Sequence, residues 1–372
     1  MEASKIVRKG VVLFFVTAVL YYIFLLLFLP GTKALISAIF PEKDPPNPIF
    51  STLPPLQFIE KKAKGEFNPA YKLDTNDGRL PKGLPKKMTV YEIRKNVPSF
   101  EKGKDARDTA LELGYLDDDL ITSLKEPIYK WRKLSSNGLL EINTDNRHLT
   151  LETPLGGKAS FFPRGGLTEK KALDYARDIF KKIGRFDDKL YLDGSAEVIL
   201  GQFSGSALKE TKAESDAQIA RVDFFRRIND TPIFGPDPLV GMLYAFVRAP
   251  KKEDAHYNVP IMEGYLWEIV PDSQASYPII GVDVAWEHLK QNKAVVVSIL
   301  PDSTGKLVAY TPVVVEQVFI NNIFLAYYES IDDQPYLQPV YVFQGKYTTS
   351  GTQGGTIALY YPAVSPEFIK TN

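Results

Sequence analysis

The chain has 372 residues, no cysteine, three histidines, and 45 basic side chains against 45 acidic ones. The balanced charge supplies no field to draw in nucleic acid, and the missing cysteine excludes thiol catalysis, disulfide exchange and cysteine-held metals. Hydrophobic residues at 44% and charged residues at 24% describe a folded chain rather than a disordered stalk.

Residues 1–10 carry Lys5, Arg8 and Lys9 and read as a cytoplasmic tail. The run from Val11 to Leu29 holds no charge and has the length of a bilayer-crossing helix, so residues 11–30 are predicted to be a single transmembrane helix that contacts lipid. No small-residue cleavage site follows it closely, which favours a retained anchor over a signal peptide. The bulk of the chain is then expected outside the cell membrane, with the N-terminus in the cytoplasm. Within the run, Thr17 and Tyr21 lie one turn apart, and with Phe24 they form a candidate contact face for another membrane helix.

Residues 31–87 read as a proline-rich spacer, with Pro41, Pro45, Pro46, Pro48, Pro54 and Pro55 favouring extended backbone. Ile49, Phe50, Leu53, Leu56 and Phe58 are nonetheless apolar enough to dock on a fold. A first module is expected over 88–160: a strand at 89–93, a short helix at 104–113 stopped by Gly114, and strands at 128–134, 139–143 and 148–153. A second occupies 165–250. Thr168 caps a helix whose Ala172, Ala176, Ile179, Phe180 and Ile183 share a face, Gly184 stops it, and strands follow at 197–202, 221–228 and 239–247. A third spans 255–372, with a helix through Val282, Ala285, Trp286 and Leu289 and strands at 294–300, 312–328, 337–345 and 356–361. The expected fold class is α+β: a membrane helix followed by two or three modules, each an amphipathic helix packed on an antiparallel sheet.

Chemistry-bearing motifs are sparse. Ser206 and Lys209 fit an S-x-x-K pattern without its K-T-G partner. Asp117, Asp118 and Asp119 lack the glycine and glutamate of a calcium loop and read as a loop or helix start. The glycines around Gly351 lack the lysine of a phosphate loop and read as a hairpin. Asn229-Asp230-Thr231 has the form of a glycosylation sequon. His148, His256 and His288 show no metal-ligand spacing. The sequence therefore implies no catalytic residue, cofactor or metal.

The segment from Val222 to Phe234 places an aromatic strand before an Asn-containing turn and Pro232-Ile233-Phe234. Tyr277-Pro278-Ile279-Ile280 then leads into a helix with Ala285 and Trp286, and Tyr327-Tyr328 precedes Leu337-Gln338-Pro339-Val340-Tyr341. Over residues 167–346 this order resembles the YycI-type regulatory proteins, which are related to YycH and loosely to PepSY modules. The resemblance implies an anchored, extracytoplasmic, non-enzymatic bacterial protein that binds and regulates another envelope protein, in that family a sensor kinase. It carries over no site residue. A PepSY-type ligand- or peptide-binding module is the alternative, ahead of a wall-active enzyme.

Overall fold

The computed structural model describes residues 16–22, 45–95, 97, 99–122, 127–154, 164–186, 189–205, 207–248 and 258–371. The chain divides into two units, residues 1–47 and residues 48–372. In the first, residues 16–22 form a helix.

In the second unit the strands are β1 (Ala70–Leu73), β2 (Lys87–Arg94), β3 (Ile128–Lys133), β4 (Gly138–Asn143), β5 (Leu149–Glu152), β6 (Ser195–Ser204), β7 (Ala207–Glu210) and β8 (Ile219–Ile228). They continue as β9 (Thr231–Phe234), β10 (Leu243–Val247), β11 (Ile261–Gly264), β12 (Glu268–Pro278), β13 (Val295–Pro301), β14 (Gln317–Tyr328), β15 (Tyr336–Thr349) and β16 (Thr352–Pro362). The helices are α1 (Phe100–Glu112), α2 (Glu169–Lys182), α3 (Lys189–Leu192) and α4 (Val282–Lys290).

These sixteen strands hydrogen-bond into one large mixed sheet. Its main path runs β12-β2-β15-β14-β9-β8-β10-β11-β5-β4-β3, with β1, β6, β7, β13 and β16 attached beside it. The pairs β1–β14 and β9–β14 are parallel. This overturns the expected modules. β2, assigned from sequence to the first module, pairs with β12 and β15 of the third. β11 of the third bridges β10 of the second and β5 of the first. Hydrophobic periodicity reports which face of a strand is buried and says nothing about its neighbour, so pairing across distant segments left no local trace.

The expected transmembrane helix is also corrected. Among the described residues no helix is long and apolar enough to cross a membrane. Of the run 11–29, residues 16–22 are described as helix. The rest of the run lies outside the described residues.

The helices cover parts of the sheet faces. α2 packs on β6, β8 and β10. Ala220, Val222, Ala245 and Val247 are buried beneath it and form a smooth floor, while Phe180 meets Phe224 edge to face at 5.7 Å. Burying a side chain such as Phe180 stabilises by about 1.5–3 kcal/mol, and the ring pair adds about 0.5–1.5. α4 buries Ala285 and Leu289 in a second core, where Trp286 lies 6.3 Å from Phe343. The proline-rich segment runs against β13, β14 and β15 and the chain end. Leu53 is fully buried, its N–H donates to Phe368 O at 2.7 Å, and its carbonyl accepts from Lys370 N at 2.8 Å. Tyr328 Oη donates to Gln57 O, Gln338 Nε2 to Pro54 O, and Lys61 N to Val296 O.

Candidate binding cleft

A cleft of about 430 Å³ opens between α1, the β4–β5 connection and the end of α2. Three local devices position its walls. Ser99 caps α1 by accepting from Lys102 N at 3.3 Å, and helical spacing then sets Lys102, Asp105, Ala106, Thr109 and Glu112 along one stripe. At the end of α2, Gly184 takes φ +64°, its N–H donates to Lys181 O, and Arg185 N donates to Phe180 O at 2.8 Å. That pair of bonds is a Schellman motif, and it turns the residue after the glycine back over the helix end. In the β4–β5 connection, Asn143 Oδ1 accepts from Asp145 N and Asn146 Oδ1 from His148 N. Between them Arg147 sits at φ +55°, a conformation uncommon for a long side chain.

The chemistry centres on two arginines. Arg185 is only 6% exposed, and its Nη1 is buried with no hydrogen-bond partner. Burial pulls its guanidinium down to about 9, and the positive charge of Arg147 pulls in the same direction. Arg147 is half-buried and likewise shifted down by burial. The nearby carboxylate of Asp105 opposes both shifts. Lys102 is lowered too, by burial and then by Arg147. Lys182 and Glu112 neutralise each other at 2.7 Å across the helix ends. Four cationic and three anionic side chains thus line the cleft. A guanidinium keeps its proton near neutral pH. Holding one buried without a hydrogen-bonded counter-charge costs several kcal/mol, which an anion seated in the cleft would offset.

A second polar cluster lies on β5, β10 and β11. Glu263 accepts from Tyr244 Oη at 2.6 Å, His148 Nε2 at 3.0 Å and Tyr265 Oη at 3.4 Å. The His148 ring stacks on Tyr265 at 4.0 Å with planes 8° apart. Burial pushes the Glu263 carboxyl up, and the three donors outweigh it, leaving it below the ordinary value. These partners satisfy one another, so the cluster ties three strands together.

The motifs singled out in the sequence take structural places. Thr17 and Tyr21 lie exposed on the helix at 16–22, and Phe24 is outside the described residues. Ser206 is also outside them, and Lys209 lies in β7, a strand paired with β6. Asp117–Asp119 is a 3-10 turn in which Asp117 pairs with Arg107 and Asp119 accepts from Leu116 N. Asn229 and Asp230 form a tight hairpin turn with φ of 45° and 63°, and Asn229 Nδ2 donates to Tyr91 Oη. Among the described residues no three His, Asp or Glu side chains gather as a metal site. Sequence reasoning missed Arg185 and Arg147. The available signal was a single charge wedged into the apolar stretch Ile183-Gly184-Arg185-Phe186, immediately behind a helix stop.

No protein-family model matches the chain, and no curated protein sequence does. Among solved structures, an uncharacterized protein from Eubacterium rectale ATCC 33656 shares 14% identity and a TM-score of 0.43, over 76% of this chain and 84% of that one.

Proposed function

We propose that this chain is a non-enzymatic binding and regulatory protein of a bacterial envelope, acting through contact with another membrane or envelope protein in the manner of YycI-type partners of a sensor kinase. The observation that carries the reading is Arg185, a buried guanidinium with an unpartnered nitrogen lining a cleft. Such a group calls for an anion, and no described residue hydrogen-bonds to that nitrogen. The cleft is not arranged like a hydrolytic centre. Among the described residues no histidine lines it, and the carboxylates Asp105, Asp108 and Glu112 all come from exposed positions of one helix. Acid–base catalysis uses groups converging on one reacting atom from opposed directions.

The membrane address rests on the sequence: the uncharged run from Val11 to Leu29 behind Lys5, Arg8 and Lys9. A PepSY-type peptide-binding role is the second reading, favoured by the modest cleft volume, which suits one or two residues of an extended peptide. Cross-linking of the full chain in native membranes, followed by mass spectrometry, tests both. Capture of one envelope protein, diminished by Arg185→Met, is expected for the first reading. Capture of secreted peptides alone would move the assignment to the second. Mass spectrometry of the mature chain is expected to find the N-terminal segment intact, and a new N-terminus between residues 32 and 41 would refute anchoring.

A further inference from the structure

We infer that the cleft between α1, the β4–β5 connection and the end of α2 is a carboxylate-binding site, with Arg185 and Arg147 as the groups that hold the carboxylate. The inference rests on the binding role proposed above and names the chemistry of what is bound.

Three observations converge. First, Arg185 is nine-tenths buried and its Nη1 has no partner, although buried polar groups are almost always satisfied. Second, the neighbouring cation is another guanidinium. Both line the cleft, and the positive charge of Arg147 acts unfavourably on that of Arg185. An anion bound beside like charges relieves their repulsion. Third, the acidic side chains around the two arginines argue against a dianion. Asp105 and Asp108 line the cleft, and Asp105 and Glu268 act on Arg147. A phosphate dianion would meet more repulsion from them than a carboxylate monoanion. A guanidinium fork matches the two coplanar oxygens of a carboxylate.

The frame is built to keep this geometry. Arg185 is fixed by the Schellman bonds at Gly184, and Arg147 by the paired Asn143 and Asn146 turns. Both rest on strands and a helix packed in one core, which holds the two side chains in register before any ligand arrives.

The test is a thermal-unfolding and calorimetric titration of the full chain in detergent. Sodium acetate and sodium propionate are compared with sodium chloride and inorganic phosphate at equal ionic strength. Saturable stabilisation by both carboxylates, beyond chloride and phosphate, is expected. Arg185→Met and the half-exposed Arg147→Gln should each weaken carboxylate binding at least tenfold, while Lys130→Met, outside the cleft, leaves it unchanged. A response to phosphate alone, carboxylates no different from chloride, or wild-type binding in both arginine variants would each overturn the inference. Failure here is distinguishable from failure of the regulatory role. Carboxylate binding without capture of an envelope partner refutes the partner alone. Capture without carboxylate binding refutes this site alone.

Discussion

Arg226 and Arg185 show what a buried guanidinium does with and without company. Arg226 donates to Glu329 Oε1 at 2.8 Å and to the Trp267 carbonyl at 3.0 Å, and both charged side chains are 1% exposed. Breaking such a pair leaves one charge stranded, so Arg226→Met is expected to cost about 3–5 kcal/mol in urea unfolding. Arg185→Met is expected to raise stability in the same measurement, because it removes a buried charge whose Nη1 has no hydrogen-bond partner. Glu263 gives a pH signature. Its carboxyl titrates below 4.5 in the native state, so its contribution is complete above the unfolded value and is lost as pH falls through the lower native one. Glu263→Gln should therefore flatten the acid side of the stability profile, and an unchanged slope would show that its three donors do not stabilise the anion. The sequence does not distinguish the two arginines: the apolar surroundings of Arg185 hint at burial and say nothing of its partners. A buried unpaired charge and a buried paired one have the same letter, and the difference lies in residues about a hundred positions away.

At the scale of elements, local chemistry was well written in the chain. Thr168 accepts from Lys171 N as the cap of α2, and Gly114 and Gly184 both close Schellman motifs. Thr168→Ala is expected to cost about 1 kcal/mol. Phe180→Ala should cost about 3–5 kcal/mol, since the side chain is fully buried against Phe224 and Phe186 neighbours that ring, and a loss below about 1 would mean that the core collapses into the space. Strands with clear alternation, such as β4 with its buried Leu140 and Ile142, were legible. Those that were not share a cause. β12 carries Pro271, Asp272 and Ser273 across a register shift, and β1 is four residues held by parallel pairing to β14. Neighbouring strands impose these two, and no periodicity marks them.

For the whole molecule, the long strand β15 is the junction. It pairs with β2 at Tyr336 and Leu337, with β14 from Gln338 to Thr348, and with β16 from Val340 to Thr349. β8 plays the same part further along, pairing with β6 from Ile219 to Phe225, with β10 from Ala220 to Phe224, and with β9 through its last three residues. With the sheet continuous through both strands, residues 48–372 are expected to unfold in one transition, the same by near-UV circular dichroism and by tryptophan fluorescence. Two separated transitions would mean that the sheet parts between β9 and β14. The reading of three modules failed at this scale because it gave each strand only consecutive neighbours, whereas β2 pairs with distant strands and β9 and β11 each add a distant neighbour to a consecutive one.

The seating of residues 53–73 on the last strands has a consequence in time. Gln57 O accepts from Tyr328 Oη, 271 residues later, and Leu53 N donates to the still later Phe368 O. At about 5–20 residues per second, a ribosome needs roughly 15–55 s to bridge the first of these intervals. Until then the apolar residues of the early segment have no berth. Docking of the early segment is therefore paced by synthesis of β13 to β15 and of the stretch around Phe368.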